Sequence, residues 1–160
     1  MSDSISNSFK QRGIEIPFLD DIGLAFDAMA DGHSQVSLAP QKRHTNSWGV
    51  VHGGVVMTML DVAMAMAGRS LQKSKEGGNV TVEMKTTFVR PTQAAQAGAR
   101  VVARGHCYHL STTMAFCEGE VLDDQGRICA KATGTFKFLT RVDAHSRSFP
   151  GAAGDIEKTD

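Results

Sequence analysis

The chain has 160 residues, 41% hydrophobic and 21% charged, which suits one domain with a core of its own. Its 17 Lys and Arg balance 17 Asp and Glu, so it lacks the basic excess on which non-specific nucleic-acid binding depends. No apolar run reaches the roughly 18 residues of a membrane span, and Met1 to Asn7 lacks the basic start and apolar stretch of a signal peptide; a cytoplasmic protein is expected, without nucleic-acid or membrane partners.

In chain order, residues 1–20 read as an N-terminal extension, with a short helix near Ser8–Arg12 and Ile14 to Leu19 packing against the domain. Gly23 to Met29 reads as a strand. Ala30-Asp31-Gly32-His33 has the Asp-Gly signature of a tight turn, and Gln35 to Ala39 completes a hairpin. Pro40 to Val51 is a loop. From Gly53 to about Gln72 the pattern is one helix whose apolar side chains, among them Val55, Val56, Leu60 and Val62, cover most of the circumference. Met57, Met59, Met64 and Met66 read as core, with the lining of an adaptable ligand tunnel as the alternative. Gly54, Thr58, Asp61, Ala65 and Gly68 share one narrow face. Small residues there suit close packing on another backbone. A ligand channel or a partner subunit would also account for Asp61.

Lys73 to Gly78 breaks the helix, and four strands are expected over 79–89, 97–109, 112–123 and 127–138. In the first, strict alternation puts Val80, Val82, Met84, Thr86 and Phe88 on one side and Thr81, Glu83, Lys85 and Thr87 on the other. Such alternation implies antiparallel strands with one wet face. Cys107, Cys117 and Cys129 show no ligand or partner spacing and read as buried free thiols. Residues 140–160 lack periodicity and read as a disordered tail. The domain therefore spans 21–139, in the order β-β-α-β-β-β-β: an α+β fold with about six strands around one helix.

The densest stretch is Asn46-Ser47-Trp48-Gly49-Val50-Val51-His52-Gly53-Gly54. A Gly-Gly pair opening a helix exposes backbone N–H groups that can polarise a carbonyl or hold an oxyanion. Seven residues beyond Gly54, Asp61 places a carboxylate on an otherwise apolar helix, where burial is expensive.

This spacing and strand order resemble the hotdog-fold acyl-CoA thioesterases, in particular the phenylacetate-degradation and 4-hydroxybenzoyl-CoA branch, over roughly residues 20–139. The resemblance implies a hotdog fold, with the antiparallel sheet wrapped around the helix, and hydrolysis of an acyl-CoA thioester with an aryl or medium-chain acyl group. It implies no cofactor, since coenzyme A enters as part of the substrate. It also implies a homo-oligomer, a dimer or dimer of dimers, in which two sheets pair and each site mixes groups from both chains.

Position by position, the resemblance gives Gly53 the N–H on the thioester oxygen and Asp61 the role of nucleophile or general base. Asn46 holds the attacking water or the thioester, Thr81 orients the water, and His52 supports the loop. Gly54, Thr58 and Ala65 line the substrate, and Ala65 stands where some relatives have a hydroxyl residue. Arg90-Pro91 resembles a basic-Pro turn suited to coenzyme A phosphates, and Ser111 and Thr112 fall near the nucleotide end.

The chemistry is coherent on its own terms. Thiolate leaves readily, so one carboxylate and a polarised carbonyl suffice, and base and nucleophile roles stay open for Asp61. Each residue also has a plainer role: Asp61 facing solvent, His52 and Asn46 shaping the loop, Thr81 serving as a β-branched strand residue. A metal site is not expected, since His44 and His52 lack a ligand set. The competing functions are a non-catalytic acyl-CoA or acyl-lipid binder, a hydratase on the same fold, and a structural dimer module.

Overall fold

The structure, a computed structural model, describes residues 9, 13–73, 77–93 and 97–139. The expected tail over 140–160, and the expected helix near Ser8–Arg12 apart from Phe9, lie outside the described residues. The first element is a short helix, α1 (Pro17–Ile22). Pro17 suits its first turn, where no N–H is needed. Gly23 ends it with φ 70°, the left-handed conformation that glycine adopts without strain. Leu19 is buried in the core, and Ile14 packs against it. The sequence pattern showed no helix here because six residues are too few to display a helical period.

Strands β1 (Ala25–Ala30) and β2 (His33–Leu38) form the expected hairpin. Asp31 and Gly32 both have positive φ, 48° and 80°, as a two-residue turn matching the strand twist requires. The loop that follows holds a 3₁₀ turn, Lys42–His44, and closes on itself through a Thr45–Val51 bridge. Then come the long helix α2 (Gly53–Ser70) and strands β3 (Asn79–Phe88), β4 (Val101–Leu110), β5 (Met114–Leu122) and β6 (Ile128–Phe138). One antiparallel sheet of six strands runs β1-β2-β4-β5-β6-β3. Among the described residues β3 pairs only with β6, so its outer edge is unpaired by any of them.

Helix α2 lies against the middle of this sheet. Met59, Leu60, Ala63, Met64 and Ala67 are fully buried beneath it, and each large side chain among them contributes about 1.5–3 kcal/mol by leaving water. The bed is made of glycines. A Cβ on Gly105 of β4 would collide with the Ala63 carbonyl, and one on Gly119 or Gly134 would press on Met64 at 3.1 Å. A Cβ on Gly68 of the helix would stand 2.7 Å from that of Ala115. Polar pins complete the seat: Ser34 Oγ donates to the Ala63 carbonyl (2.5 Å) and Asn79 Nδ2 to the Ala65 carbonyl (2.8 Å).

Strict alternation misplaces one stretch of β3. Register against β6 slips between Thr81, opposite Phe136, and Glu83, opposite Thr135, leaving Val82 as the extra residue of a bulge. The slip reverses the phase of the strand. Asn79 and Thr81 reach α2 from one side of the bulge. Met84 and Phe88 reach it from the other. Val82, expected on the helix side, is instead 54% exposed.

The three cysteines are buried free thiols, as expected. Burial, and then the neighbouring Cys107 across the β4–β5 ladder, push the Cys117 thiol far up, so it is no nucleophile.

Candidate active site

Asp61 sits two turns into α2, half-buried, with its Oδ1 accepting a hydrogen bond from Thr81 Oγ1 at 2.6 Å. The bulge in β3 makes this bond, because a regular strand would turn Thr81 to the far face. Beside the pair opens a cavity of about 340 Å³. Thr58 and Asp61 supply its polar wall, and the rest is apolar: Met57 and Val62 from α2, Met84 from β3, and Ile16, Phe18 and Leu19 from the segment of α1. Met57 is thus a cavity residue, whereas Met59 and Met64 are fully buried core.

The start of α2 is a separate place. His52 is the N-cap, and its Nδ1 accepts from the Gly54 N–H at 2.9 Å. That bond makes His52 the cap of the helix and uses the Gly54 N–H. The Gly53 N–H has no partner among the described residues and lies at the positive end of the helix dipole.

Asn46 shapes the loop before this turn. Its Oδ1 accepts from the N–H groups of Trp48 (3.0 Å) and Val50 (3.3 Å), and its own N–H donates to the Val50 carbonyl. The oxygen is therefore committed to the loop, and only the amide Nδ2 is left to meet a ligand. His44 anchors the same loop from within: its Nδ1 accepts from Gln41 N–H, and its carbonyl accepts from His52 N–H at 2.8 Å.

Arg90-Pro91 is exposed and follows β3. The next residue, Thr92, accepts from Val51 N–H at 3.0 Å, so this basic turn lies beside the approach to Gly53. Thr58 donates its hydroxyl proton to the Gly54 carbonyl (2.9 Å) within the helix. Ala65 is outside the cavity, with its carbonyl held by Asn79. Ser111 and Thr112 form the exposed β4–β5 turn, where Ser111 Oγ caps the Met114 N–H at 3.0 Å. That turn lies by the end of β6 and the start of β3, since Phe138 bonds Thr113 and pairs with Asn79. Neither Ser111 nor Thr112 lines the Asp61 cavity.

Helical rise decides what these parts can do together. Gly53 and Asp61 are eight residues apart on one straight helix, or about 12 Å along its axis. A carbonyl oxygen in contact with the first cannot bring its carbon within reach of the second. Within one chain, a single thioester group cannot meet both at once.

The profile of the Thioesterase superfamily matches residues 49–130, from the loop before α2 into β6. The chain belongs to the thioesterase superfamily. Acyl-coenzyme A thioesterase 13 of Mus musculus is 28% identical over 120 residues, spanning 69% of this chain and 82% of that protein. Among solved structures, a point variant of the phenylacetic acid degradation protein PaaI from Thermus thermophilus is 31% identical. It covers 78% of this chain and 100% of its own, with a TM-score of 0.66. A conserved protein from Pseudomonas aeruginosa superposes with a TM-score of 0.71 at 26% identity, over 81% of this thioesterase-superfamily chain and 98% of its own.

These likenesses establish the hotdog arrangement, and thioester hydrolysis is the chemistry they support for this superfamily member. No helix among the described residues is long and apolar enough to cross a membrane. The sequence reading missed the residues of α1 that wall the cavity. The available signal was the pair of end markers, Pro17 and Gly23, rather than any periodicity.

Proposed function

We propose that this protein hydrolyses acyl-CoA thioesters bearing an aryl or medium-chain acyl group, at sites shared between two copies of the chain. The observation that carries the reading is Asp61, bonded by Thr81 at 2.6 Å, on the wall of a largely apolar cavity. A carboxylate facing an acyl pocket, with a hydroxyl fixing its rotamer, is arranged to attack a thioester carbon or to take a proton from water. Either route expels the coenzyme A thiolate, a leaving group that needs little acid assistance.

The oxyanion donor then comes from the second copy. Along β3, Phe88 lies against Gly53 while Thr81 bonds Asp61, so the two functional places sit near opposite ends of one edge strand. Antiparallel pairing of two β3 edges about their centre would set Asp61 of one copy beside Gly53 of the other. Val82, Phe88 and Val89 are each more than half exposed along this strand and its end, and an unpaired edge with apolar side chains calls for a cover. Each site would receive its phosphate-facing cation from Arg90, on the Gly53 side.

The test is thiol release from aryl and aliphatic acyl-CoAs. Asp61→Asn is expected to lower kcat by about 10²–10⁴-fold without loss of fold. Gly53→Pro removes the oxyanion N–H and asks only the half-exposed Phe88 ring to shift, since Pro suits the first helical position and His52 has the extended ψ of 138° that precedes it well. It should lower the rate by about 10²–10³-fold. Mixing the two inactive variants should restore about one quarter of wild-type activity, because half of randomly paired dimers are mixed and each has one intact site. Activity in Asp61→Asn, or no rescue on mixing, would sink the shared-site mechanism. Binding of acyl-CoAs without turnover would instead favour a non-catalytic binder.

A further inference from the structure

The cavity beside Asp61 has a wall that thioester chemistry does not require. Ile16, Phe18 and Leu19 come from a segment distant in sequence from the Asn46–Asp61 motif, yet they line the same space. Leu19 is only 3% exposed and roots α1 in the core, whereas the adjacent Phe18 is 56% exposed and Ile16 37%. The exposed pair contributes little to core burial, and its apolar surface is turned to the cavity.

The wall is also fixed in place. Arg43 donates to the Asp21 carbonyl, Gly23 N–H donates to the Asp20 carbonyl (3.0 Å), and Leu24 N–H donates to the Leu19 carbonyl (3.0 Å). α1 is thus rooted at its middle by buried Leu19 and held at its C-terminal end by Arg43 of the 3₁₀ turn. A fixed wall sets a fixed depth. At about 340 Å³ the space lies at the small end of ligand pockets, which run about 300–1,000 Å³. A ring or a short to medium chain fits it.

We infer that α1 selects the acyl group and that Phe18 is a specificity-determining residue, closing the pocket beyond Asp61. The inference rests on the reading of Asp61 as the carboxylate that faces the thioester. Phe18 acts through the volume of its ring. Shortening it extends the pocket and enlarging it shortens the pocket, with no change to the reacting atoms.

The experiment measures binding and turnover separately. Non-hydrolysable acyl thioether analogues of coenzyme A with short, medium and long saturated chains are titrated against wild type, Phe18→Ala and Phe18→Trp. Hydrolysis of the matching thioesters is followed in parallel, and melting temperatures check the fold. Phe18→Ala should raise the long-to-short affinity ratio by about tenfold, and Phe18→Trp should lower it by a similar factor, since one methylene in such a pocket is worth about 10–200-fold. Parallel chain-length profiles in all three proteins would overturn the role of Phe18. Graded binding that shifts with Phe18, without hydrolysis in wild type, would uphold the selecting wall and sink the hydrolase. No binding at any chain length would sink both.

Discussion

From Gly53 to Asp61, helix α2 leaves its first N–H unpaired among the described residues, keeps Met57 38% exposed and turns a carboxylate toward a cavity. From Val62 to Gly68 the same helix is buried at every position but Ala65, and it is seated on Gly105, Gly119, Gly134 and Ala115. The small-residue face that the sequence left open between packing and ligand divides along its length. Its Gly68 end packs, and its Thr58–Asp61 end meets the cavity. A helix can hold a carboxylate in place over a half-open space because its other half cannot shift. Rigid elements give a site more precision than loops do.

Three changes probe that division, taken from the largest expected effect to the smallest. Gly105→Ala strikes the seated half alone. The added methyl meets the Ala63 carbonyl and cannot be absorbed by a flexible side chain, so a loss of about 1–3 kcal/mol is expected. That appears as a fall of about 2–4 °C in Tm for each kcal/mol. An unchanged melting curve would mean the glycine bed does not hold the helix.

Thr81→Val strikes the other half. It removes the hydroxyl donor to Asp61 at an exposed position, so kcat/KM should fall by about ten- to a hundredfold, the worth of a hydrogen bond to a charged group. The Tm should not move.

The smallest effect concerns the loop that leads into α2. Burial, then the Arg43 cation, hold the His44 imidazole below its ordinary pKa, and its Nε2 approaches the Ile22 carbonyl without a well-formed hydrogen bond. The folded protein therefore binds this proton less readily than the unfolded chain. The neutral ring's contribution to stability is fully present above about pH 6.5 and is lost as pH falls through the depressed folded pKa. His44→Gln keeps an acceptor for the Gln41 N–H and should flatten the Tm-versus-pH curve in that acid window. A curve as steep as wild type would assign the acid sensitivity elsewhere. Asp123 adds a second slope at lower pH. Burial alone would raise its carboxyl, but the Arg127 and Gln125 N–H groups and the Arg127 guanidinium lower it on balance, so its contribution holds above about pH 4 and fades below.

Local chemistry made much of the molecule legible. The Asp31-Gly32 turn, the long apolar helix, the alternating strands and the buried cysteines follow from residue type and period, since each is enforced within a few residues of chain. The Asn46–Gly53–Asp61 spacing was legible as a pattern for the same reason. What that spacing does was not. Sequence distance hid that eight helical residues part donor from acid by about 12 Å, that the Gly54 N–H is taken by His52, and that the Asn46 oxygen is bound into its loop. Period alone put Thr81 on the wrong face, because a bulge is set by register against β6 and leaves no mark in the alternation it interrupts. The wall built by α1 belongs to the same class. Contacts between Phe18 or Leu19 and the Asp61 cavity join residues some forty positions apart in the chain, and only the closing of the sheet around α2 brings them into one space. Short-range order is written in the residues themselves, while the cavity depends on non-local contacts that no window along the chain contains.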